Sequence, residues 1–377
     1  MSMKTAVAPV GLSEEIKAFR DLAEGFAGKE LARNREQNDH YPFGILFTDA
    51  IRKASEVGFF HVNIPSESGG IGMGDTALAY ILEEISKADA SMAGVIFTNA
   101  AAVEVINQAS LDADCSAVYE KLFAQDAFPL SFHSFTAPSE MELPVVDARG
   151  RISGKIMFLT LGEISRYAVI PAKSAGASLS YYFIDLGDAG VAKSNTVYSI
   201  GLHACPSLDV TFTQVPAMLI GREGQALKYF LAMQSHLSIG AAAIGLGIME
   251  GSFTDALQYT KDRFQGGRQI IDWPEVRMIL ANMAIEIEVG RSCLEDACSG
   301  QDAGREGWEK RARSAAVHIA EMSRRVTNDG VQLLGGCGYM QDFPQEKRMR
   351  DAHQSINFLG MPLVRKMEFI NGIIAES

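Results

Sequence analysis

The sequence has little cysteine, no surplus of positive charge and no long uninterrupted apolar run, and each shortage closes off a class of protein. Its five cysteines, Cys115, Cys205, Cys293, Cys298 and Cys337, are odd in number and scattered. That pattern fits neither a disulfide framework nor paired metal-ligand spacing, and it predicts reduced thiols. Lysine and arginine total 34 against 46 acidic residues, a formal charge of −12. With no basic stripe to offset it, this balance argues against nucleic acid as a partner. The longest mostly apolar run recognised in the sequence, Leu237 to Met249, is 13 residues and is broken by Ser238 and glycines. A bilayer crossing needs about 20 residues. The first fifteen residues, MSMKTAVAPVGLSEE, carry one lysine and no apolar centre, so no secretory signal is expected and the predicted location is cytoplasmic. No GxGxxG follows a strand pattern, which speaks against a Rossmann nucleotide site.

What is present is ordinary globular composition, 47% hydrophobic and 21% charged over 377 residues, ample for a large core. Residues 12–36 place Ile16, Phe19, Leu22, Ala23 and Phe26 at helical spacing, with Ser13 as a candidate N-cap before Glu14 and Glu15. Helices are also predicted at about Phe43–Val57, Thr76–Ala88 and Ser91–Ala109, around a loop rich in turn residues from Pro65 to Gly74. From about Pro129 to Pro216 the period falls towards two, in segments such as RISGKIMFLT and LDVTFTQV, and roughly six strands are expected. From Gly221 the pattern is helical again. One long helix is predicted to Phe264, rich in small residues from Gly240 to Gly247, with others at about Trp273–Ser299, Arg305–Leu334, Glu346–Ala352 and Pro362–Glu376. Helix, sheet, helix without alternation is an α+β arrangement. Its expected parts are an N-terminal helical domain (1–128), a middle β domain (129–217) and a C-terminal helical bundle (218–377).

Two stretches carry chemistry. VQLLGGCGYMQDFPQEKRMRDAHQSINFLG, residues 331–360, sets Gly335, Gly336 and Gly338 in a turn after an apolar helix end, where a missing Cβ lets backbone bend or lie against a flat ligand. The charges that follow, Glu346 to Asp351, suggest a network. Residue chemistry alone is satisfied by a glycine turn between two helices. The order QLLGG, GGCGY, RMRDA and a later glycine, however, resembles the C-terminal signature of the acyl-CoA dehydrogenase family. The IPSESGGIGMG loop and the EEISKADAS run resemble that family's N-terminal helical domain.

The resemblance implies an FAD-dependent oxidoreductase of an acyl-CoA substrate. FTAP, residues 135–138, stands where the family's strand end meets the flavin, with Thr136 retained. Phe158 would lie against the isoalloxazine and Thr160 would bond its N5 side; read without the family, they are an ordinary strand pair. Arg263 would reach the FAD diphosphate of a neighbouring subunit, and Gln332, Gly335 and Gly336 would hold the adenosine side. Several positions depart from the pattern. Gly266, Pro274 and Met361 replace the family's Phe, Gln and Thr, and the usual GSD-containing segment after Pro138 is missing.

The largest departure concerns the base. Cα–Cβ oxidation requires a carboxylate for the α-proton while flavin takes a hydride from Cβ. The usual position is Leu359 and the alternative one Ser235, so neither is acidic. His236, beside it, and His133 are titratable replacements, although a lone helical histidine is more often structural. Three readings follow: a flavoenzyme with a displaced base or a variant flavin reaction, a glutamate-lacking subunit paired with a sister chain, or a flavin-free scaffold. The family implies a homo- or hetero-tetramer and, for a dehydrogenase, an electron-transferring flavoprotein as electron acceptor.

Overall fold

The structure is a computed structural model that describes residues 13–40, 45–124 and 127–376. The N-terminal segment read for a signal and Phe43 and Gly44, the expected start of the second helix, lie outside them. Helix α1 (Glu14–Phe26) begins where Ser13 Oγ accepts from Ile16 N at 3.2 Å. The single helix expected over 12–36 is instead α1, a wide turn at Ala27–Leu31, a tight turn at Ala32–Asn34 and the short α2 (Arg35–Asn38). Then come α3 (Ile45–Glu56), α4 (Gly74–Ala88), α5 (Ala90–Ser110) and α6 (Ser116–Ala124), the last absent from the sequence reading.

Asp89 ends α4 and caps α5, accepting from Ser91 N at 2.9 Å. Both helices are buried nearly all round, polar Glu83, Glu84 and Glu104 included. By length and composition α5 could cross a membrane, but 94% of its most apolar window is buried inside the protein, as in a core helix.

The middle domain has seven strands rather than six: β1 (Ser131–Phe132), β2 (Val145–Val146), β3 (Arg151–Thr160), β4 (Tyr167–Lys173), β5 (Leu179–Asp185), β6 (Val191–Thr196) and β7 (Ser207–Ile220). Strand β3 pairs with β7, β7 with β5, β5 with β4, and β4 through β1 back to β3, so the sheet closes into a barrel around its own apolar core.

The long helix predicted from Gly221 is two, α7 (Ala226–His236) and α8 (Ser238–Asp262), bent by 41° at Leu237. A small hairpin, β8 (Phe264–Gln265) and β9 (Arg268–Gln269), leads to α9 (Pro274–Asp302), α10 (Trp308–Leu334), α11 (Pro344–Ser355) and α12 (Pro362–Glu376). The small residues of α8 serve close packing: a Cβ on Gly247 would sit 2.3 Å from Glu83 O of α4.

The charges of α11 form the expected network. Buried Lys347 places Nζ 2.6 Å from Asp351 and 3.2 Å from Asp89. Arg348 bonds Asp255 and the Lys87 carbonyl, and Arg350 bonds Asp39 and Glu346. Asp351 also accepts from Leu202 N at 2.7 Å, so this helix ties the barrel to both helical parts.

Candidate functional site

The middle domain and the C-terminal helices meet at a cavity of about 30 Å³. Phe135, Thr136, Ala137 and Glu140 reach it from the chain leaving β1, Phe230 and Gln234 from α7, and Leu359, Gly360 and Met361 from the turn after α11. Val364, Arg365 and Glu368 of α12 complete the wall. Its volume suits a water molecule or two. Beside it the buried rings of Phe97, Phe135 and Phe358 pack at centroid distances of 4.9 to 5.7 Å and keep the adjoining interior dry.

Leu359 is fully buried and left-handed, at φ +64°, an uncommon conformation for a residue with a Cβ. Its carbonyl accepts from Gln234 Nε2 at 2.8 Å. Gly360 follows at φ +109°, so close to the Phe135 carbonyl that a Cβ would lie 3.3 Å from that oxygen. The strained turn is thus clamped from α7 and from the β1 side.

Ser235 faces inward but its hydroxyl is engaged. It donates to Leu231 O at 3.0 Å and accepts from Arg313 Nη2 at 2.7 Å. Arg365 donates Nη1 to Phe358 O at 3.3 Å, while its Nη2 is buried without a partner, as is Gln234 Oε1. Burial pushes the Arg365 guanidinium down to about 10. Burial raises the Glu368 carboxyl above the ordinary glutamate range, against the opposing pull of Arg313 and Arg365.

Neither histidine candidate lines the cavity. His236, at the helix bend, puts Nδ1 2.9 Å from Asp75 and packs edge-on against Trp308. His133 is buried with Nε2 2.8 Å from the Tyr181 hydroxyl, and burial pushes it down to about 3, so it is neutral at ordinary pH.

The cofactor candidates form two groups. On the barrel side, Thr136 lines the cavity, and Thr160 places its hydroxyl 3.0 Å from that of Ser207. Phe158 sits at a bulge of β3, at φ +54° and 47% exposed, with its N–H on Asp209. At the end of the bundle, Arg263 follows α8, exposed, and its carbonyl accepts from Ile270 N. Gln332 and the Gly335–Gly336 turn, after α10, are exposed as well. Tyr259, one turn before Arg263, meets Phe343 edge-on at 6.0 Å, joining α8 to the segment after the glycine turn.

A Cβ at Gly335 or Gly336 would meet nothing within 4 Å, so a ligand can approach their backbone. An exposed aromatic face with threonine hydroxyls, and an exposed arginine and open glycine backbone, are groups of the kind that suit the flavin and diphosphate ends of FAD respectively.

Sequence reasoning missed Gln234, Arg365, Glu368 and Glu140. No sequence signal set the last helix apart: Arg365 and Glu368 share it with Lys366, Asn371 and Glu376.

Comparison with known proteins accords with this arrangement. The sequence profile "Acyl-CoA dehydrogenase, N-terminal domain" matches residues 13–123, and "Acyl-CoA dehydrogenase, C-terminal domain" matches residues 228–356. Cyclohex-1-ene-1-carbonyl-CoA dehydrogenase of Syntrophus aciditrophicus is 27% identical over 94% of this chain and 89% of its own. The caffeyl-CoA reductase–Etf complex subunit CarC of Acetobacterium woodii is 26% identical over 97% of this chain and 99% of its own. Butyryl-CoA dehydrogenase from Megasphaera elsdenii shares the fold, with a TM-score of 0.85 at 22% identity, covering 96% of this chain and 99% of that one.

Proposed function

The chain belongs to the acyl-CoA dehydrogenase family, and from that premise we propose that it is an FAD-dependent oxidoreductase of a CoA thioester whose base stands elsewhere than at position 359. One observation carries the reading. Thr136 and Leu359, far apart in sequence and marked by resemblance as the flavin contact and the usual base position, line the same cavity. Bound FAD supplies the acceptor for a hydride from Cβ. The chain's residues supply the setting: Gln234 and the Phe135 carbonyl fix the turn, and the three phenylalanines exclude water. Thr136 and Thr160 are offered as hydroxyls towards the flavin and Phe158 as its apolar face. Arg263, Gln332, Gly335 and Gly336 are offered as the diphosphate and adenosine side.

The reading includes assembly, with each cofactor held between chains. Exposed apolar stripes support it: Met278, Ile285 and Val289 on α9, and Leu363, Met367, Ile370 and Ile374 on α12. A homo- or hetero-tetramer would cover them. The relative from Acetobacterium woodii works in an Etf complex, and we extend to this chain an electron-transferring flavoprotein as redox partner. Five free cysteines support a reducing, cytoplasmic setting.

A second reading, a subunit that depends on a glutamate-bearing sister chain, is favoured by Leu359 being fully buried and by the Ser235 hydroxyl being tied to Arg313. The visible absorption spectrum of the chain expressed alone, before and after adding FAD, separates the two. Near one FAD per chain supports an independent flavoenzyme. A protein that stays colourless overturns it in favour of the dependent subunit.

A further inference from the structure

If the chain removes an α-proton, a carboxylate must reach the cavity from somewhere other than 359 or 235. Two do so, Glu140 and Glu368. Glu140 is exposed in a short turn before the barrel. Glu368 is half-buried on α12 and lines the cavity with Gln234, the side chain that holds the Leu359 carbonyl. The carboxylate of α12 therefore opens onto the same cavity as the position the family ordinarily uses.

Three residues earlier on that helix, Arg365 is 6% exposed and lines the same cavity, with Nη2 unpartnered. A buried donor left without an acceptor is destabilising, and a ligand oxygen in the cavity would satisfy it.

Resting on the reading above, we propose that Glu368 is the group that takes the substrate's α-proton and that Arg365 Nη2 donates to the thioester carbonyl. The Cα–H bond breaks and the proton passes to a Glu368 carboxylate oxygen. The electron pair remains on Cα and spreads onto the carbonyl oxygen, where the Arg365 N–H meets the developing charge. The substrate class is a CoA thioester bearing at least one α-hydrogen. Burial beside cations suits the role: it makes the carboxylate more basic, and Arg313 and Arg365 favour its charged form.

The test is α-proton exchange, which needs no net oxidation. The flavin-loaded full chain is incubated in D2O with a short-chain, a cyclic and an aryl-substituted acyl-CoA, and deuterium at Cα is read by mass spectrometry. Wild type exchanges, with a rate that rises with pH through a limb above the ordinary glutamate range. Glu368→Gln loses that limb and about 10² to 10⁴ of the rate at unchanged FAD content. Arg365→Lys loses about 10². Should Glu368→Gln lose its flavin, Glu368→Asp keeps the charge on a shorter stem and is expected to exchange more slowly with flavin intact. Undiminished exchange in a flavin-loaded Glu368→Gln or Glu368→Asp overturns this assignment alone. No exchange by wild type with any thioester overturns it together with the reading beneath it.

Discussion

Gln234 Nε2 donates to the Leu359 carbonyl at 2.8 Å, joining the helix before the bend to the turn before α12. Both residues are buried. The bond holds a left-handed leucine where the family resemblance places a base, and it sets the wall from which α12 presents Arg365 and Glu368.

Gln234→Ala leaves that carbonyl buried and unpaired, which costs about 1–3 kcal/mol. A lower urea midpoint with an unchanged slope is expected. An unchanged midpoint would mean that the turn is fixed by its other contacts, chiefly the Gly360–Phe135 approach.

Lys347 sits buried between Asp89 and Asp351. Replacing it with Met strands two buried carboxylates and costs about 3–5 kcal/mol. Lys347→Met with Asp351→Asn is expected to lose less than Lys347→Met alone. Burial opposes the Lys347 charge, but the Coulombic pull of Asp351 and Asp89 outweighs it and raises its pKa above the usual lysine value. Its contribution is therefore complete at neutral pH and is lost only as pH rises past that range, which an alkaline denaturation series would detect.

Asp39 works at the other end of the scale. Burial would raise its carboxyl, but hydrogen bonds from His203 and Arg350 outweigh burial and hold it at about 2, against an ordinary 3.8. A depressed carboxylate contributes stability above the unfolded value and loses it as pH falls through the folded one. Stability is expected to decline between about pH 4 and pH 2, and Asp39→Asn to flatten that limb in an acid titration followed by circular dichroism.

At the helix bend, burial pushes Glu104 up to about 7; nearby Asp75 adds to the rise, and His236 opposes it. A raised carboxyl contributes stability below its unfolded value, near 4.5, and loses it as pH climbs through 7. Glu104→Gln is expected to remove that slope and to be more stable than wild type above pH 7, measured by chemical denaturation across the range.

The sequence made the α+β order legible because periodicity is local: the change near Pro129 marks the barrel, and Gly240 to Gly247 mark the close-packed face of α8. Motif resemblance likewise drew attention to Thr136 and Leu359, which the fold brings to one cavity. The bend at Leu237 left no such trace. The stretch SHLS contains neither proline nor glycine, and the bend coincides with tertiary bonds: His236 to Asp75, and Gln301 to both Asp75 and the His236 carbonyl. Glu368 was invisible for a related reason. A glutamate on an amphipathic final helix reads as solvated, and only packing against Gln234 and the Leu359 turn gives it a cavity.

The most direct measurement is the flavin absorption band of the FAD-loaded chain under anaerobic titration with saturated acyl-CoA thioesters of short, cyclic and aryl-substituted type. Bleaching by at least one of them is the expected result, since the α-proton and the β-hydride then have places to go. A stoichiometrically loaded chain whose band is unchanged by every thioester would contradict the account.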